Sequence, residues 1–437
     1  RGGSNESRCI SSRRSRCMRS SSAAGTPGRR TGHSTRSWLS ESPGICSPTP
    51  VDVRHNGPMR WMAAPVLALS LAACGGGGGT SAAEASGFAE PVLVADLASV
   101  AAVAAGWAHS CAVDGAGQTW CWGDNEYGQA GCQGDSGLVN AGTPNIDTPC
   151  VVYSATPTMQ LASLASARVE TCGLDLSNNA ICWGYGIPFA TAREPIEPTP
   201  VDTTEPFTLL RGPMGDPGMC GVSQHGARYC WGQGETTAER LVPQLQDDSG
   251  LQFVDIALGE RWGCGVTAEV EAWCWGSNWF GQLGMGTVGQ FDGPLESETP
   301  VKVVGDRSYV AVAAGLMHAC ALDSEGAAWC WGLIPGGDTA YGTPQPVPGD
   351  QRFSAIFAGG QFTCAVAADG QAWCWGLNFS GELGNGGYQD SLAPLPVRGG
   401  LYFSTLAPGG IHVCGITTDQ QLYCWGNNAS GQLGRPQ

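Results

Sequence analysis

Cysteine pairs at a fixed spacing constrain this chain more than any other feature. Seven times, a cysteine is followed after nine intervening residues by a second cysteine that starts a Cys-Trp-Gly triplet. Successive pairs are 44 to 61 residues apart. Such a period is typical of one supersecondary unit that packs against copies of itself. The pairs are Cys111 with Cys121, Cys172 with Cys182, Cys220 with Cys230, Cys264 with Cys274, Cys320 with Cys330, Cys364 with Cys374, and Cys414 with Cys424.

The residues between the two cysteines of a pair indicate a β-hairpin. In the fifth pair, facing cysteines place Leu322 opposite Ala328 and leave a three-residue loop that ends at Gly326. This loop position favours a left-handed backbone, which glycine or asparagine adopts with little strain. Val270 and Gln420 occupy it in repeats four and seven. We therefore expect another turn or a shifted register in those two hairpins.

The hairpin register brings the paired cysteines close enough for disulfide bonds. Opposed residues of a ladder have Cβ atoms about 4.5–5.5 Å apart, near the distance that a disulfide needs. A zinc site is the alternative, but its usual close cysteine knuckles are missing from the repeats. Cys132 and Cys150 flank a segment of the first repeat rich in Gly, Asn and Pro and are predicted to form an eighth bond. We expect no metal and no cofactor.

A secretory signal precedes the repeats. Residues 59–73 have a basic start, a short apolar stretch and small residues before Cys74, which is typical of a signal peptide. Leu71-Ala-Ala-Cys74 resembles the lipobox of bacterial lipoproteins, so Cys74 is the predicted lipidation site. The alternative is an ordinary signal peptide with an incidental cysteine. Residues 74–90 include a glycine run and are predicted to form a flexible tether.

Residues 1–58 are rich in Arg and Ser and show no apolar periodicity. A signal peptide must lead the chain that it directs, so we interpret this segment as a disordered, non-native upstream extension. The alternative is a nucleic-acid-binding arm. Eleven of the 22 basic and three of the 38 acidic residues precede Cys74, which leaves the rest with a formal net charge of −24. Because phosphate binding needs clustered Lys and Arg, nucleic acid is not an expected partner.

The repeats predict an all-β fold. Each unit contains a strand that starts at proline, a strand of small residues, the cysteine hairpin and a loop, which is the four-strand pattern of a propeller blade. The last unit stops at Gly434 without its proline strand, and the first unit begins with one, residues 91–94. Residues 91–437 are therefore predicted to form a closed seven-bladed β-propeller in which the N-terminal strand completes the C-terminal blade. A solenoid would need capping units instead.

Two strings make the resemblance to a known family specific. Gly106-Trp-Ala-His-Ser-Cys111 and Trp120-Cys-Trp-Gly-Asp-Asn-Glu-Tyr-Gly-Gln129, with tails such as Asn278-Trp-Phe-Gly-Gln-Leu-Gly284, resemble the repeat of the regulator of chromosome condensation family. Chromatin-bound members of that family exchange nucleotides on a nuclear GTPase, but acidity and predicted secretion argue against that role here. Repeats two, three and five lack the Gly-Gln-Leu-Gly tail, so we expect shortened outer strands or loops there.

Candidate chemical groups are few. His109, His318 and His412 precede the first cysteine of their repeats by two residues, where other repeats carry Gly, Trp, Phe or Glu. That tolerance indicates a strand-packing position, with a metal ring in the central channel as the alternative. No paired-carboxylate motif, nucleophile elbow or phosphate loop stands out, so no catalytic residue is predicted and the protein is interpreted as a non-enzyme.

Binding through loops remains as the predicted activity. Tyr127, Trp279, Phe280 and Phe379 follow the tail asparagines and are predicted to form part of a partner-facing rim. The alternative is that they pack against neighbouring blades. The sequence thus predicts a protein-binding scaffold that is lipid-anchored and extracytoplasmic in a bacterial cell envelope, at the outer membrane or cell surface. A glycan-binding or glycan-active cell-surface protein is the alternative.

Overall fold

A computed structural model of the chain describes residues 87–436, apart from 96, 98, 133–144, 153–158, 185–197, 204, 216–217 and 233–240. The predicted upstream extension, the signal peptide and the lipidation site Cys74 lie outside these residues, as does most of the tether. In the described part of the chain, no helix is long and apolar enough to span a membrane.

The described residues form 28 strands in seven four-stranded antiparallel sheets, each of which is one blade. The first strands of neighbouring blades contact one another, so they line the inside of a ring. The predicted all-β, seven-bladed propeller is confirmed. Blade 1 contains β2 (Ala102–Ala105), β3 (His109–Val113), β4 (Thr119–Gly123) and β5 (Ile146–Val151); blade 2 contains β6 (Leu161–Ser166), β7 (Glu170–Asp175), β8 (Ala180–Gly184) and β9 (Thr199–Pro200); blade 3 contains β10 (Phe207–Arg211), β11 (Met219–Ser223), β12 (Arg228–Trp231) and β13 (Gln244–Leu245).

Blades 4 to 7 continue the same order around the ring. Blade 7 takes its outer strand from the other end of the chain. Blade 4 contains β14 (Phe253–Leu258), β15 (Trp262–Thr267), β16 (Ala272–Ser277) and β17 (Glu296–Lys302); blade 5 contains β18 (Tyr309–Ala314), β19 (His318–Asp323), β20 (Ala328–Leu333) and β21 (Ala340–Pro346); blade 6 contains β22 (Phe353–Ala358), β23 (Phe362–Ala367), β24 (Ala372–Gly376) and β25 (Ser391–Pro396); blade 7 contains β26 (Phe403–Pro408), β27 (His412–Thr417), β28 (Leu422–Asn427) and β1 (Gly87–Leu93).

The ring closes as the offset chain ends predict. β1 pairs antiparallel with β28, and Val92 lies opposite Cys424. β2 of blade 1 packs against β26 and β27 of blade 7. The structure corrects one boundary, because β1 begins at Gly87, four residues before the predicted start of the propeller and inside the predicted tether. An irregularity in the β1 register between Phe88 and Val92 accommodates this extension.

Every cysteine hairpin has its two cysteines directly opposite each other and joined by a disulfide. Their Cα atoms are 4.0–4.1 Å apart in all seven blades. From blade 1 to blade 7, the bonds join Cys111 to Cys121, Cys172 to Cys182, Cys220 to Cys230, Cys264 to Cys274, Cys320 to Cys330, Cys364 to Cys374, and Cys414 to Cys424. Leu322 lies opposite Ala328, as the spacing predicts.

Cys132 and Cys150 form the eighth bond, outside the hairpins, with Cα atoms 5.9 Å apart. It joins the connection between β4 and β5 of blade 1, at Cys132, to strand β5, at Cys150, and this is the pairing that the sequence predicts. Eight disulfides are typical of a protein that folds in an oxidising compartment.

The expectation of a different turn at Val270 and Gln420 is wrong. Both residues adopt the left-handed backbone, with φ of 59° and 64°, and both hairpins keep the common register. The reason lies in the next blade, where the N–H of Tyr309 donates to the Val270 carbonyl at 2.8 Å, as Phe353 N–H does to Gly326. This bond between neighbouring blades fixes the loop conformation regardless of the residue type.

The repeats without a Gly-Gln-Leu-Gly tail are shortened in different ways. β9 and β13 contain only two residues each, as expected. β21 contains seven residues, so in blade 5 the expected shortening does not affect the outer strand. There the shortening falls on the connection between β20 and β21, residues 334–339, because the missing tail belongs to that loop and not to the strand.

The hydrophobic core lies between the blades. One cluster combines Trp262 and Leu283 of blade 4 with Tyr309 and Trp331 of blade 5. Tryptophans of the Cys-Trp-Gly triplets, such as Trp331, are buried in these clusters, and Tyr309 packs against the Trp331 ring of its own blade at 6.1 Å between centroids. Since each cluster needs two blades, the blades stabilise one another around the ring.

Antiparallel order divides the connections between two faces of the disc. The loop between the first and second strands and the loop between the third and fourth strands emerge at the same end of each blade. In blade 5, for example, the N–H of Leu333, at the end of the third strand, donates to the carbonyl of Met317, in the loop between the first and second strands, at 2.9 Å. We call this end the loop face. The cysteine hairpin turns and the connections between blades occupy the opposite end, which we call the hairpin face.

Candidate interaction face

The tail of each complete repeat folds into one compact turn on the loop face. In blade 4 the buried Asn278 accepts a hydrogen bond from Leu283 N–H through its Oδ1 at 3.2 Å. Gln282 Oε1 accepts from Phe280 N–H at 2.8 Å. Blades 1, 6 and 7 repeat both bonds. Two buried side chains thus hold the backbone of the turn and leave the residues after the asparagine at its outer side.

The same tail also joins each complete blade to the next one. The carbonyl of Gln282 in blade 4 accepts a hydrogen bond from Trp331 Nε1 of blade 5 at 2.8 Å. The tryptophan side chain is fully buried, so this bond satisfies a donor that water cannot reach. The equivalent bonds are Trp183 to Gln129, Trp425 to Glu382 and Trp122 to Gln432.

The structure places all four predicted rim residues in these turns, but with different exposure. Trp279 is 40% exposed and Phe379 is 61% exposed. Tyr127 and Phe280 are half-buried. The four residues are distributed over blades 1, 4 and 6, and the most accessible pair stands on blades 4 and 6.

Several exposed apolar residues were missed by the sequence reasoning. Phe291, at 75% exposed, and Leu295 lie in the blade 4 loop that follows the tail. Tyr388 and Leu392 lie in and just after the corresponding loop of blade 6. The signal was the extra length between the tail and the fourth strand in these two repeats, which lifts apolar residues away from the core. Together with Trp279 and Phe379 they form what we call the aromatic patch of the loop face.

The three loops of blades 4, 5 and 6 on the loop face carry negative side chains and no positive ones. Residues 278–295, 334–339 and 377–390 contain four carboxyl groups and no Lys or Arg. Asp292, Asp338 and Asp390 belong to the three loops, and Glu382 is a buried residue of the blade 6 tail. Burial raises the pKa of Glu382 to about 7, and the charge of Asp390 adds to this effect. These three loops therefore carry acidic side chains and no cation of their own, while Arg398 of blade 6 lies against Gly386 at the edge of this region.

The three histidines form contacts between blades. His318 Nε2 lies 2.9 Å from Thr363 Oγ1 of the next blade, and His109 and Thr171 make the same contact at 2.8 Å. Their rings are completely buried, and burial lowers the pKa of each to about 3, so they are neutral. The structure thus assigns them a role in joining blades.

The third histidine contact closes the ring. His412 Nε2 of blade 7 lies 2.7 Å from Ser110 Oγ of blade 1. The sequence contains a signal for this pairing, since a hydroxyl residue precedes the first cysteine only in blades that follow a histidine blade. Blades that follow Glu, Gly, Trp or Phe carry an apolar residue there, and these are Met219, Gly263, Ala319 and Val413.

One group within the described residues has the composition of a metal site. Side-chain atoms of Glu170, Cys172 and Cys182 lie within 4.8 Å of one another. Both sulfur atoms belong to a disulfide bond, so neither is a thiolate that could bind an ion. This cluster does not fit a metal.

Comparison with known proteins agrees with this geometry. Models of the regulator of chromosome condensation (RCC1) repeat match residues 100–129, 353–382, 409–432 and 271–322. The ultraviolet-B receptor UVR8 of Arabidopsis thaliana is 24% identical over 256 residues, 55% of this chain and 54% of the receptor. The mouse E3 ubiquitin-protein ligase HERC2 is 27% identical over 211 residues, 44% of this chain. The chain spans only 4% of HERC2 and about half of UVR8.

Solved structures share the fold. Human WBSCR16 superposes with a TM-score of 0.61 at 15% identity, over 77% of this chain and 88% of its own. Prp20p of Saccharomyces cerevisiae, described with its binding to Gsp1p and histones, superposes with a TM-score of 0.59 at 21% identity, over 74% and 81%. The chain therefore contains repeats of the regulator of chromosome condensation type, at the four matched stretches of its seven-bladed propeller.

Proposed function

We propose that this protein is a non-catalytic scaffold that binds another protein through the aromatic patch of its loop face. The observation that carries the proposal is the exposure of Trp279 and Phe379 on turns held by buried hydrogen bonds, with Phe291 exposed in the loop after the blade 4 turn. Exposed aromatic side chains on a rigid support are typical of protein interfaces, because they bury large apolar area at low entropic cost. In yeast, the structurally similar Prp20p has been solved bound to Kap60.

The charge of the face indicates the chemistry of the partner. The patch carries carboxylates and no cation in residues 278–295, 334–339 and 377–390. A surface of this kind favours a partner with Lys or Arg around an apolar centre, since complementary charge increases the association rate and disfavours acidic competitors. We expect the affinity to fall as the salt concentration rises.

The proposed location is extracytoplasmic, with a lipid on Cys74 and the disc held above the membrane by the tether. Eight disulfides support an oxidising compartment, and the residues before Cys74 support secretion. A tether of glycine-rich sequence would let the disc reorient toward its partner.

The lipid anchor has a direct test. Changing Cys74→Ser removes the sulfur that the lipid would occupy, so metabolic labelling with a radioactive fatty acid should give no labelled band for the variant. A Ser81→Ala variant, which changes the predicted tether and leaves Cys74 intact, serves as the control and should keep its label. Label that persists after Cys74→Ser would refute the anchor.

The proposed interface is tested by capture from bacterial envelope extracts. A Trp279→Ser/Phe379→Ser variant of the full chain should lose at least tenfold of the captured partner, because it removes the two exposed aromatic rings. The matched control is Val254→Ser/Val310→Ser, which removes two exposed apolar side chains near the hairpin face and should capture normally. Equal capture by both variants would contradict the proposal. Selective binding on a glycan array would instead support the glycan-binding alternative.

A further inference from the structure

Blades 2, 3 and 5 lack the tail that the complete junctions share, and among these three only the loop of blade 5 lies wholly within the described residues. Blade 5 has Ile334-Pro-Gly-Gly-Asp338 where blade 4 has its Gly-Gln-Leu-Gly turn. The next tryptophan along the ring, Trp375, is only 1% exposed, and its Nε1 has no hydrogen-bond partner among the described residues. In the four junctions with a tail, the equivalent Nε1 donates to a tail carbonyl at 2.8–3.1 Å. Blade 5 therefore leaves a buried donor without the acceptor that the repeat normally supplies.

The short loop of blade 5, residues 334–339, covers this junction in place of a tail. A Cβ on the glycine of the Cys-Trp-Gly triplet would lie 3.0–3.3 Å from the tail glutamine Cα at Gly123, Gly184 and Gly332. At the junction from blade 5 to blade 6, the short loop lies here instead, and a Cβ on Gly336 would be 3.6 Å from the Gly376 carbonyl oxygen. A cleft of about 180 Å³ lies beside it, with Leu377 among its lining residues. The cleft lies between this short loop and blade 6, and Trp375 is not among the residues that line it.

The cleft combines apolar walls with an acidic rim. Met317, Ile334 and Leu377 supply apolar wall, while the carboxyl groups of Asp338 and Asp390 line it as well. The loops that carry these carboxyl groups, 334–339 and 377–390, contain no Lys or Arg. Ile334 packs against the cluster around Trp375, so a ligand that reaches the indole must displace this side chain.

We propose that the cleft between blades 5 and 6 binds a loop of the partner protein that replaces the missing tail. The loop supplies a backbone carbonyl to Trp375 Nε1, a glycine turn that fits over Gly376, and a Lys or Arg beside Asp338 and Asp390. A buried N–H without an acceptor is unfavourable, so an incoming carbonyl gains a hydrogen bond without displacing an existing one. The inference rests on the proposed role in protein binding and assigns that partner a recognition element.

The test uses the full chain labelled with ¹⁵N-tryptophan and a capped peptide, Asn-Trp-Phe-Gly-Gln-Leu-Gly-Lys-Lys. Titration should shift the indole N–H resonance of Trp375 in a saturable manner and leave that of Trp331, which already has an acceptor, unchanged. A peptide ending in Glu-Glu should bind at least tenfold more weakly. A Trp375 resonance that does not move would overturn the proposal that the cleft binds a loop of the partner. If Trp279→Ser/Phe379→Ser still abolished capture in that case, the proposed function would stand without the cleft.

Two variants keep the test decisive. Replacing residues 334–338 with the blade 4 tail sequence, residues 278–284, should shift the Trp375 resonance without any peptide and abolish peptide binding. Trp375→Phe should lower the melting temperature less than Trp331→Phe, because only the second change breaks a hydrogen bond. Equal losses would show that Trp375 has an acceptor in solution and would overturn the proposal.

Discussion

Glu382 differs from the residue that the other complete tails carry at the same position. Three other complete tails carry glutamine at this position, and these are Gln129, Gln282 and Gln432. Each side chain accepts a hydrogen bond from the backbone two residues earlier, which Glu382 does with Ser380 N–H at 2.8 Å. An amide makes that bond without a buried charge, whereas a carboxylate must lose its hydration.

We predict that Glu382→Gln stabilises the protein in alkaline solution. The pKa of Glu382 is raised from 4.5 to about 7 by burial, so the folded state binds an extra proton between these values and its stability falls as the pH rises through this window. At pH 8 the variant should gain about 3 kcal/mol of unfolding free energy, and at pH 4.5 it should nearly match the parent. Thermal unfolding at both pH values measures this difference. An equal gain at both would mean that the charge is not the cause.

At the residue scale, the sequence predicted what depends on spacing within one repeat. The register of Leu322 with Ala328 followed from the cysteine separation alone. The histidine contacts did not follow, because His109 and Thr171 lie 62 residues apart and His412 and Ser110 lie 302 apart. Their pairing becomes visible only when consecutive repeats are compared as neighbouring blades. The difference in exposure between Trp279 and Phe280 likewise depends on which residues lie next to them in the folded protein.

Among the elements, the hairpin of blade 4 contains local strain. Val270 is β-branched and adopts a left-handed backbone, because its carbonyl must accept the Tyr309 N–H of the next blade. A left-handed conformation costs an L-residue with a Cβ roughly 1–2 kcal/mol, and glycine avoids the cost. The seven hairpins therefore share one geometry, but the free-energy cost of that geometry is higher where a residue other than glycine occupies the left-handed position.

Val270→Gly should relieve this strain. Part of the gain is offset because glycine has more freedom in the unfolded chain, so we expect a net increase in unfolding free energy of about 0.5–1 kcal/mol. Calorimetric melting of the variant measures it. The reverse change, Gly326→Val in blade 5, is the matched control and should destabilise by a similar or larger amount. A lower melting temperature for Val270→Gly would contradict the left-handed turn.

Outer strands and loops were predicted less well than hairpins. β21 keeps its full length although its repeat lacks the tail, since strand pairing with β20 depends on residues 340–346 and not on the preceding turn. The absence of the tail instead opened the cleft between blades 5 and 6 and left Trp375 Nε1 without an acceptor among the described residues. The sequence showed that the tail was missing, but its effect on the next blade required the packing.

Several kinds of interaction hold the seven blades of the propeller together in one ring. Each blade has a disulfide, each core cluster spans two blades, and β1 with the His412–Ser110 contact joins the chain ends. The sequence predicted the number of blades and the closing strand, because both follow from the repeat count and the offset ends. The consequence for function is a rigid disc, on which turns such as that of Trp279 keep a fixed position without help from a partner.

For the whole molecule, we propose that the loop face binds a protein and that the hairpin face does not. Hydrogen–deuterium exchange of the full chain with its captured partner tests it most directly, because it reports protection along the whole backbone. We predict slower exchange on binding in residues 278–295 and 377–392, and unchanged exchange in the hairpin turn 323–327. Protection confined to the hairpin turns, or no change in the loop face, would contradict the claim.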